Sequence, residues 1–231
     1  MNTQKTYFVE NKEITEQVNK IKRIIRGSMN GITVESMTQK GIHYKANFGV
    51  ALPRLREIAS QYEPNMQLAT QLWFLEMRES MIIGSLLVPQ GEMDTNTAIT
   101  WCEKIPNHEL SEITAMTLFC RQPNASQFIE MALENANPLV VTTAISTATR
   151  ITKELPDTLI KEIVLKFNTF EQITLVHANT LATCLARIAS DNTQRIGLIE
   201  EVIQPFSLSK NTYHQYIFEY VTKELEYLKQ I

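Results

Sequence analysis

The chain contains 231 residues, of which 44% are hydrophobic, so it is long and apolar enough to bury a core. Its seven glycines and three widely spaced cysteines, with no CxxC pair, argue against a sheet with many hairpins, a disulfide framework and a zinc ribbon. Its most apolar run, residues 81–88, is too short to cross a bilayer, and its first twelve residues lack the apolar core of a signal peptide. We therefore expect a cytoplasmic protein without a membrane partner.

Charge is distributed unevenly along the chain, although the formal net charge is only −3. Residues 1–60 contain ten Lys and Arg against five Glu, whereas the remaining residues contain twelve Lys and Arg against twenty Asp and Glu. A basic segment can contact phosphate groups, and an acidic one repels them unless its carboxylates face away from the ligand. The charge is compatible with nucleic-acid binding and does not require it.

Apolar residues recur at helical spacing along most of the chain, as at Leu68, Leu72 and Leu75. Each such stripe must be buried against another helix. The stripes are separated by side chains that cap helices, several of them next to a proline. In chain order, the predicted helix starts are Asn65, Asp94 or Thr95, Asn107, Asn124, Asn137, Pro156-Asp157, Thr169, Asp191 and Ser209.

Every second start falls at a nearly constant interval, which indicates repeated pairs of helices. Starts at 65, 94, 124, 156 and 191 are separated by 29, 30, 32 and 35 residues, the length of a helix hairpin. The pattern predicts an all-α, HEAT-like α-solenoid of antiparallel helix pairs, forming one domain over residues 1–231. The alternative is an irregular helical bundle, because no consensus sequence recurs.

Residues 139–146 are the segment that best suits a strand, since they include Val140, Val141, Thr142, Thr143 and Ile145. We nevertheless predict a helix that continues to residue 154. The segment follows a helix-start signal, and a lone buried strand would leave its backbone groups without partners.

Motifs for nucleotide hydrolysis and zinc proteolysis are absent from the sequence, which contains no GxxxxGK[ST], GxGxxG, HExxH or GxSxG. The four histidines are far apart, and none stands in a recognisable metal-ligand pattern. We therefore expect neither a metal nor another cofactor.

Two further features have a structural and a functional interpretation. Glu109 and Glu112 could perform acid/base chemistry, but carboxylates in the first turn of a helix are also favoured by its dipole. The aromatic residues of the last helix could stack unpaired bases, but packing is the preferred interpretation. These residues are Tyr213, Tyr216, Phe218, Tyr220 and Tyr227.

A resemblance to a known family begins at residue 45. The motif starts with an aromatic-Gly-Val segment, which is followed by a proline and a Leu-Arg-x-Ile-Ala helix start. After these come an Ala-x-x-Leu-Trp helix and an apolar helix that begins with Glu. The matching residues are Phe48, Gly49, Val50, Pro53, Leu55, Arg56, Ile58, Ala59, Leu68, Ala69, Leu72, Trp73, Glu79, Leu86, Leu87 and Trp101. The segment resembles the entry motif of the DNA alkylation repair family of HEAT-like alkylpurine DNA glycosylases.

The resemblance implies binding of duplex DNA on a concave, basic face and removal of cationic alkylated purines. Such bases are good leaving groups, so a carboxylate that stabilises the oxocarbenium and positions a water supplies most of the chemistry. Active members of the family have a tryptophan followed four residues later by aspartate. Here the residue four positions after Trp101 is Ile105. An expected arginine is replaced by Thr142, and a later tryptophan is missing. The sequence therefore predicts a divergent member whose excision is absent or slow.

The candidate catalytic residues under this interpretation are Trp101, Glu103 and Glu109, with either glutamate as a displaced carboxylate. The sequence leaves open whether the chain is an enzyme; if it is one, it releases alkylated bases. The alternative is a non-catalytic HEAT-like scaffold that binds a protein partner or DNA of special shape. The candidate phosphate contacts are Lys40, Lys45, Arg54, Arg56, Arg150 and Arg187.

Overall fold

The computed structural model describes residues 11–230, whose regular structure is helical throughout. The only extended pairing within this range is an isolated parallel bridge between Ala46 and Met77. The described chain forms two compact units, residues 11–89 and 90–230. The helices of the first unit are α1 (Lys12–Gly27), α2 (Gly31–Gln39), α3 (Leu52–Ala59), α4 (Met66–Trp73) and α5 (Arg78–Leu87). Those of the second are α6 (Thr95–Cys102), α7 (His108–Thr117), α8 (Ala125–Leu133), α9 (Pro138–Ala148), α10 (Asp157–Phe167), α11 (Leu175–Asp191), α12 (Ile196–Ser207) and α13 (Thr212–Leu228).

The first unit is built around the pair α4 and α5, with α3 packed on α5 and α1 on α4. Gly84 lets the two central helices approach closely, because a Cβ there would lie 2.9 Å from the carbonyl oxygen of Ala69. Leu72 and Trp73 are fully buried against this contact region. Backbone approach at a glycine therefore sets the spacing of the pair.

The second unit consists of two layers of helices. One layer contains α6, α8, α10 and α12, and the other contains α7, α9, α11 and α13, with each helix packed on the next in its layer. Between the layers, α8 packs on the following helix α9, and α12 packs on α13. The predicted all-α stack of antiparallel helix pairs is thereby confirmed.

Most of the predicted helix starts are confirmed. The side chains of Asn65, Asp94, Asn107 and Asn137 accept backbone N–H groups of the first turn. Asn124 occupies the N-cap position of α8 without a side-chain bond to the helix's first turn, and α10 begins at Asp157.

Three predicted starts near the C-terminal end are wrong. Thr169 closes the end of α10, since its hydroxyl donates to the Lys166 carbonyl, and α11 is instead capped by Thr174. Asp191 is the last residue of α11, and a 3₁₀ turn precedes α12. Ser209 lies before α13, whose cap is Asn211. Capping side chains serve turns as well as helix starts, so residue type alone did not separate the two.

The segment 139–146 is helical, as predicted, within α9. Threonine hydroxyls in this helix bond to the carbonyl four residues earlier: Thr142 to Pro138 at 2.7 Å and Thr143 to Leu139 at 2.8 Å. These bonds satisfy the buried hydroxyls inside a helix. The predicted continuation to residue 154 is wrong, because α9 ends at Ala148 and is capped by Thr149.

Candidate nucleic-acid interface

A tight connector precedes α3 in the first unit. Gly49 has a φ of +67°, and a Cβ at this position would collide with the carbonyl oxygen of Asn30. The adjacent Phe48 carbonyl accepts the Asn30 N–H at 2.9 Å. Only glycine fits both the backbone conformation and the close approach.

A buried ion pair on α5 holds this connector. The Glu79 carboxylate accepts the N–H groups of Phe48 at 3.1 Å and Val50 at 3.2 Å. Arg78 donates to the Val50 carbonyl at 2.9 Å and lies 3.2 Å from the Glu79 carboxylate. Both charged side chains are almost fully buried. The pair therefore fixes the point at which α3 begins.

The basic residues predicted in the first unit are exposed. Lys45 pairs with Glu76 at 2.9 Å, and Arg54 pairs with Glu57 at 2.8 Å. Exposed pairs of this kind contribute little stability, so a phosphate can compete for either cation. The remaining two, Lys40 and Arg56, lie at the C-cap of α2 and within α3.

The second unit contains a polar cleft of about 210 Å³ on the layer of α7, α9 and α11. Arg150 and Glu112 bring opposite charges to it and are both exposed. Ser146 is only 6% exposed, and its Oγ has no hydrogen-bond partner among the described residues. The other lining side chains are small and polar: Thr149, Asn179, Thr180 and Thr183. The cleft offers a cation, a carboxylate and an unused hydroxyl to a ligand.

The structure separates the sequence-predicted residues of the second unit. Arg150 lines the cleft, and Arg187 lies exposed on α11, where it pairs with Asp191 at 3.5 Å. Trp101 is 1% exposed and belongs to the core. Glu103 caps the end of α6 and accepts a hydrogen bond from the Asn135 side chain at 2.9 Å.

The two candidate glutamates and the tryptophan are not among the residues that line the cleft. Glu109 lies in the first turn of α7, three residues before Glu112. Their catalytic roles stay predictions from the resemblance.

Glu112 was predicted only as a possible acid/base residue beside Glu109, and His108 was given no functional role. The resemblance implies a carboxylate four residues after an aromatic ring, and Trp101 has none at that distance. His108 and Glu112, one helix further along the chain, have this spacing. Residues four apart share one face of a helix, so this face of α7 is the one that reaches the cleft. Burial lowers the pKa of His108, and Glu112 partly opposes that shift. The four-residue spacing between the His108 ring and the Glu112 carboxylate was the sequence signal that could have identified this pair.

The cysteines behave as structural thiols. Cys102 and Cys184 are buried, and burial raises the pKa of Cys102 to about 12 and that of Cys184 to about 11. Cys120 is partly exposed, and its pKa is also raised by burial. A thiol with a raised pKa stays protonated at neutral pH and is a poor nucleophile.

Residues 11–230 contain neither a metal-binding cluster nor a membrane-spanning helix. No group of three or more His, Cys, Asp or Glu side chains is placed to hold a metal ion. None of the helices in this range combines the length and apolar character that crossing a membrane requires.

Comparison with known proteins found similarity in structure only. No family model and no curated protein sequence matches this chain. One solved structure with a similar fold is described as a new family of proteins related to the HEAT-like repeat DNA glycosylases with affinity for branched DNA structures. The sequences are 13% identical, the TM-score is 0.71, and the match covers 89% of this chain and 94% of the other. The fold of this chain is therefore that of HEAT-like repeat proteins.

Proposed function

We propose that this chain is a DNA-binding protein related to the alkylation-repair glycosylases, and that branched DNA is the first substrate class to test. The observation that carries the proposal is Arg150, exposed at a polar cleft in a HEAT-like fold. The protein of similar fold is described as having affinity for branched DNA. Duplex DNA is the second class, as the resemblance at residues 45–59 implies.

Electrostatics support a phosphate ligand. The first unit exposes four of the predicted basic residues, and the second exposes Arg150 and Arg187. Phosphate contacts release condensed counterions, so binding through these residues must weaken as salt is raised. Arginine also suits phosphate geometrically, because its planar fork can donate two hydrogen bonds to one phosphate.

The test is fluorescence anisotropy with labelled four-way junction and duplex DNA over a range of salt concentrations. Arg150→Glu is expected to weaken junction binding by about tenfold or more and to reduce the salt dependence. The matched control is Lys161→Glu on α10, in the other helix layer, where Lys161 pairs with Glu201 on the surface. An Arg150→Glu variant that binds like the control would contradict the assigned surface.

The basic residues of the first unit are tested separately. Arg54 and Arg56 flank the buried Leu55 on α3, and the double charge reversal Arg54→Glu/Arg56→Glu is expected to weaken binding and flatten its salt dependence. Absence of any DNA binding by the parent protein at low salt would remove the proposal. A non-catalytic scaffold that binds a protein partner would then be the better account.

A second candidate function is slow excision of alkylated purines, favoured by the placement of Glu112 and Arg150 at one cleft. Excision needs a carboxylate to stabilise the developing oxocarbenium and position a water, and Glu112 supplies one beside a cation that can hold a phosphate. Single deletions of such electrostatic groups commonly cost about a hundredfold or more in rate.

The excision test is release of methylated bases from alkylated duplex DNA by the purified protein. Glu112→Gln should abolish any release, whereas the matched changes Glu103→Gln and Glu109→Gln test the two residues first selected from the sequence. Loss of release in Glu103→Gln or Glu109→Gln, with Glu112→Gln fully active, would move the site to the earlier candidate. Absence of release by the parent leaves DNA binding as the function.

A further inference from the structure

The last helix of the second unit presents tyrosine rings beside its buried stripe. Ile217, Val221 and Leu225 face the core of the unit and are at most 2% exposed. Tyr216 and Tyr220 are half-buried, with ring centroids 6.0 Å apart and planes inclined at 35°. These rings contribute to packing, as predicted, and each also keeps a part accessible to solvent.

A hydrogen bond joins this ring pair to the polar cleft. The Tyr216 hydroxyl donates to the Asn179 side-chain oxygen at 3.1 Å, and Asn179 also lines the cleft on α11. The bond fixes the position of the Tyr216 ring relative to the cleft. It also leaves the Asn179 amide N–H groups free of that contact, as donors for a ligand.

A basic residue lies on the same face of α11. Asn179, Thr183 and Arg187 are spaced four apart and therefore share this face, and all three are exposed. Arg187 meets Asp191 only at 3.5 Å, and its side chain is 59% exposed. An exposed pair of this length is weak, so a phosphate can displace the carboxylate.

We infer that Tyr216 and Tyr220, together with the Asn179 side of the cleft, bind an unpaired nucleotide of DNA. The base would stack on the tyrosine rings, with its phosphate at Arg187 or Arg150. The inference rests on the proposed DNA binding and names the element recognised, since an open branch point or a gap leaves bases unpaired that an intact duplex keeps paired.

The composition of the site favours a base over a phosphate or an apolar ligand. A phosphate alone would not use the rings, while an apolar group would leave the buried Ser146 hydroxyl unpaired. A base has both a flat apolar face and edges that donate and accept hydrogen bonds. Aromatic rings next to basic groups are the usual recognition pattern for single-stranded nucleic acid.

The test compares a duplex interrupted by a short gap containing the fluorescent analogue 2-aminopurine with the same duplex fully paired. Binding should quench the analogue in the gap, because it stacks on the tyrosines, and the gapped DNA should bind more tightly. The double variant Tyr216→Leu/Tyr220→Leu is expected to lose the quenching and about tenfold in gapped-DNA affinity while keeping its affinity for the paired duplex.

Two matched variants separate stacking from other effects. Tyr216→Phe removes the bond to Asn179 but keeps the ring, so quenching should persist. Tyr227→Leu removes an exposed ring of the same helix, seven residues or about 10 Å beyond Tyr220, and should change nothing. Circular dichroism and thermal unfolding confirm that each variant is folded.

The outcomes distinguish this inference from the proposal beneath it. If the parent protein binds no DNA of any form, the proposed function fails. If it binds DNA but does not quench the analogue, or if the leucine variant quenches like the parent, the nucleotide site is wrong and DNA binding stands.

Discussion

His108 and His177 meet edge to face at the N-terminal ends of α7 and α11, with ring centroids 5.0 Å apart. Burial lowers the pKa of both, His108 lowers that of His177 further, and Glu112 partly opposes the shift of His108. Phe170 packs on His177 at 5.4 Å. A positive charge at a helix N-terminus is further disfavoured by the helix dipole. The folded protein therefore prefers both rings neutral.

This preference predicts a loss of stability in mild acid. The folded-state pKa values lie below the unfolded value of about 6.5, so the unfolded state takes up protons first as the pH falls. Stability should decline from roughly pH 7 to pH 5, and thermal unfolding followed by circular dichroism measures it. His108→Phe keeps a ring and removes one titration, so its decline should be smaller than that of the parent. Equal declines in the parent and His108→Phe would contradict the account.

The buried pair at the connector predicts a large mutational effect. Glu79→Gln removes the charge that balances Arg78 and disturbs the acceptor for the Phe48 and Val50 N–H groups. Removing one partner of a buried ion pair commonly costs about 3–5 kcal/mol of unfolding free energy. Glu57→Gln, which breaks the exposed pair with Arg54, should cost less than about 1 kcal/mol. Denaturant unfolding measures both changes, and similar values for the two would refute the structural role of Glu79.

Glu112 shows why site residues are harder to predict than helix starts. Its place on α7, three residues after the first-turn Glu109, has a sufficient local explanation, because carboxylates near the start of a helix are favoured by its dipole. Its contribution to the cleft depends on which residues of α9 and α11 lie opposite, and those are about thirty to seventy positions away in the sequence. Local patterns cannot supply that information.

Among the elements, the helices that begin with an Asn or Asp cap and an adjacent apolar stripe were predictable. The Asn137-Pro138 start outweighed the β-branched composition of α9, because threonine hydroxyls bond to the helix's own carbonyls. The end of α9 and the starts near 169 and 191 were not predictable. In these segments, residues of the types that cap helix starts do other things. Thr169 closes the end of a helix, and Asp191 accepts a tertiary hydrogen bond from the Thr152 hydroxyl at 2.6 Å.

The connector before α3 gives a prediction at the scale of the element. Gly49→Ala should destabilise the first unit severely, since the alanine would combine a positive φ with a collision at the Asn30 carbonyl. The matched change Gly27→Ala, at the end of α1 where a Cβ would meet no neighbouring atom within 4 Å, should be neutral or slightly stabilising. Thermal unfolding compares the two. A Gly49→Ala protein as stable as the parent would show that the bend is not required.

At the scale of the whole molecule, we propose that residues 1–231 form one domain. The proposal rests on the sequence, in which no stretch rich in Pro, Gly or Ser divides the chain and the helix-pair spacing continues from residue 65 past residue 94. Calorimetry should then show a single unfolding transition whose calorimetric and van't Hoff enthalpies agree. Two separate transitions would mean that the two compact units are independent domains.

The central claim is that this HEAT-like protein binds DNA through phosphate contacts that include Arg150. The most direct measurement is the affinity for a labelled four-way junction, titrated with the parent protein and with Arg150→Glu over a range of salt concentrations. The account predicts that the logarithm of the parent's affinity falls linearly with the logarithm of salt concentration, and that Arg150→Glu binds more weakly with a shallower slope. Parent and variant curves that coincide, or a parent that does not bind at low salt, would contradict it.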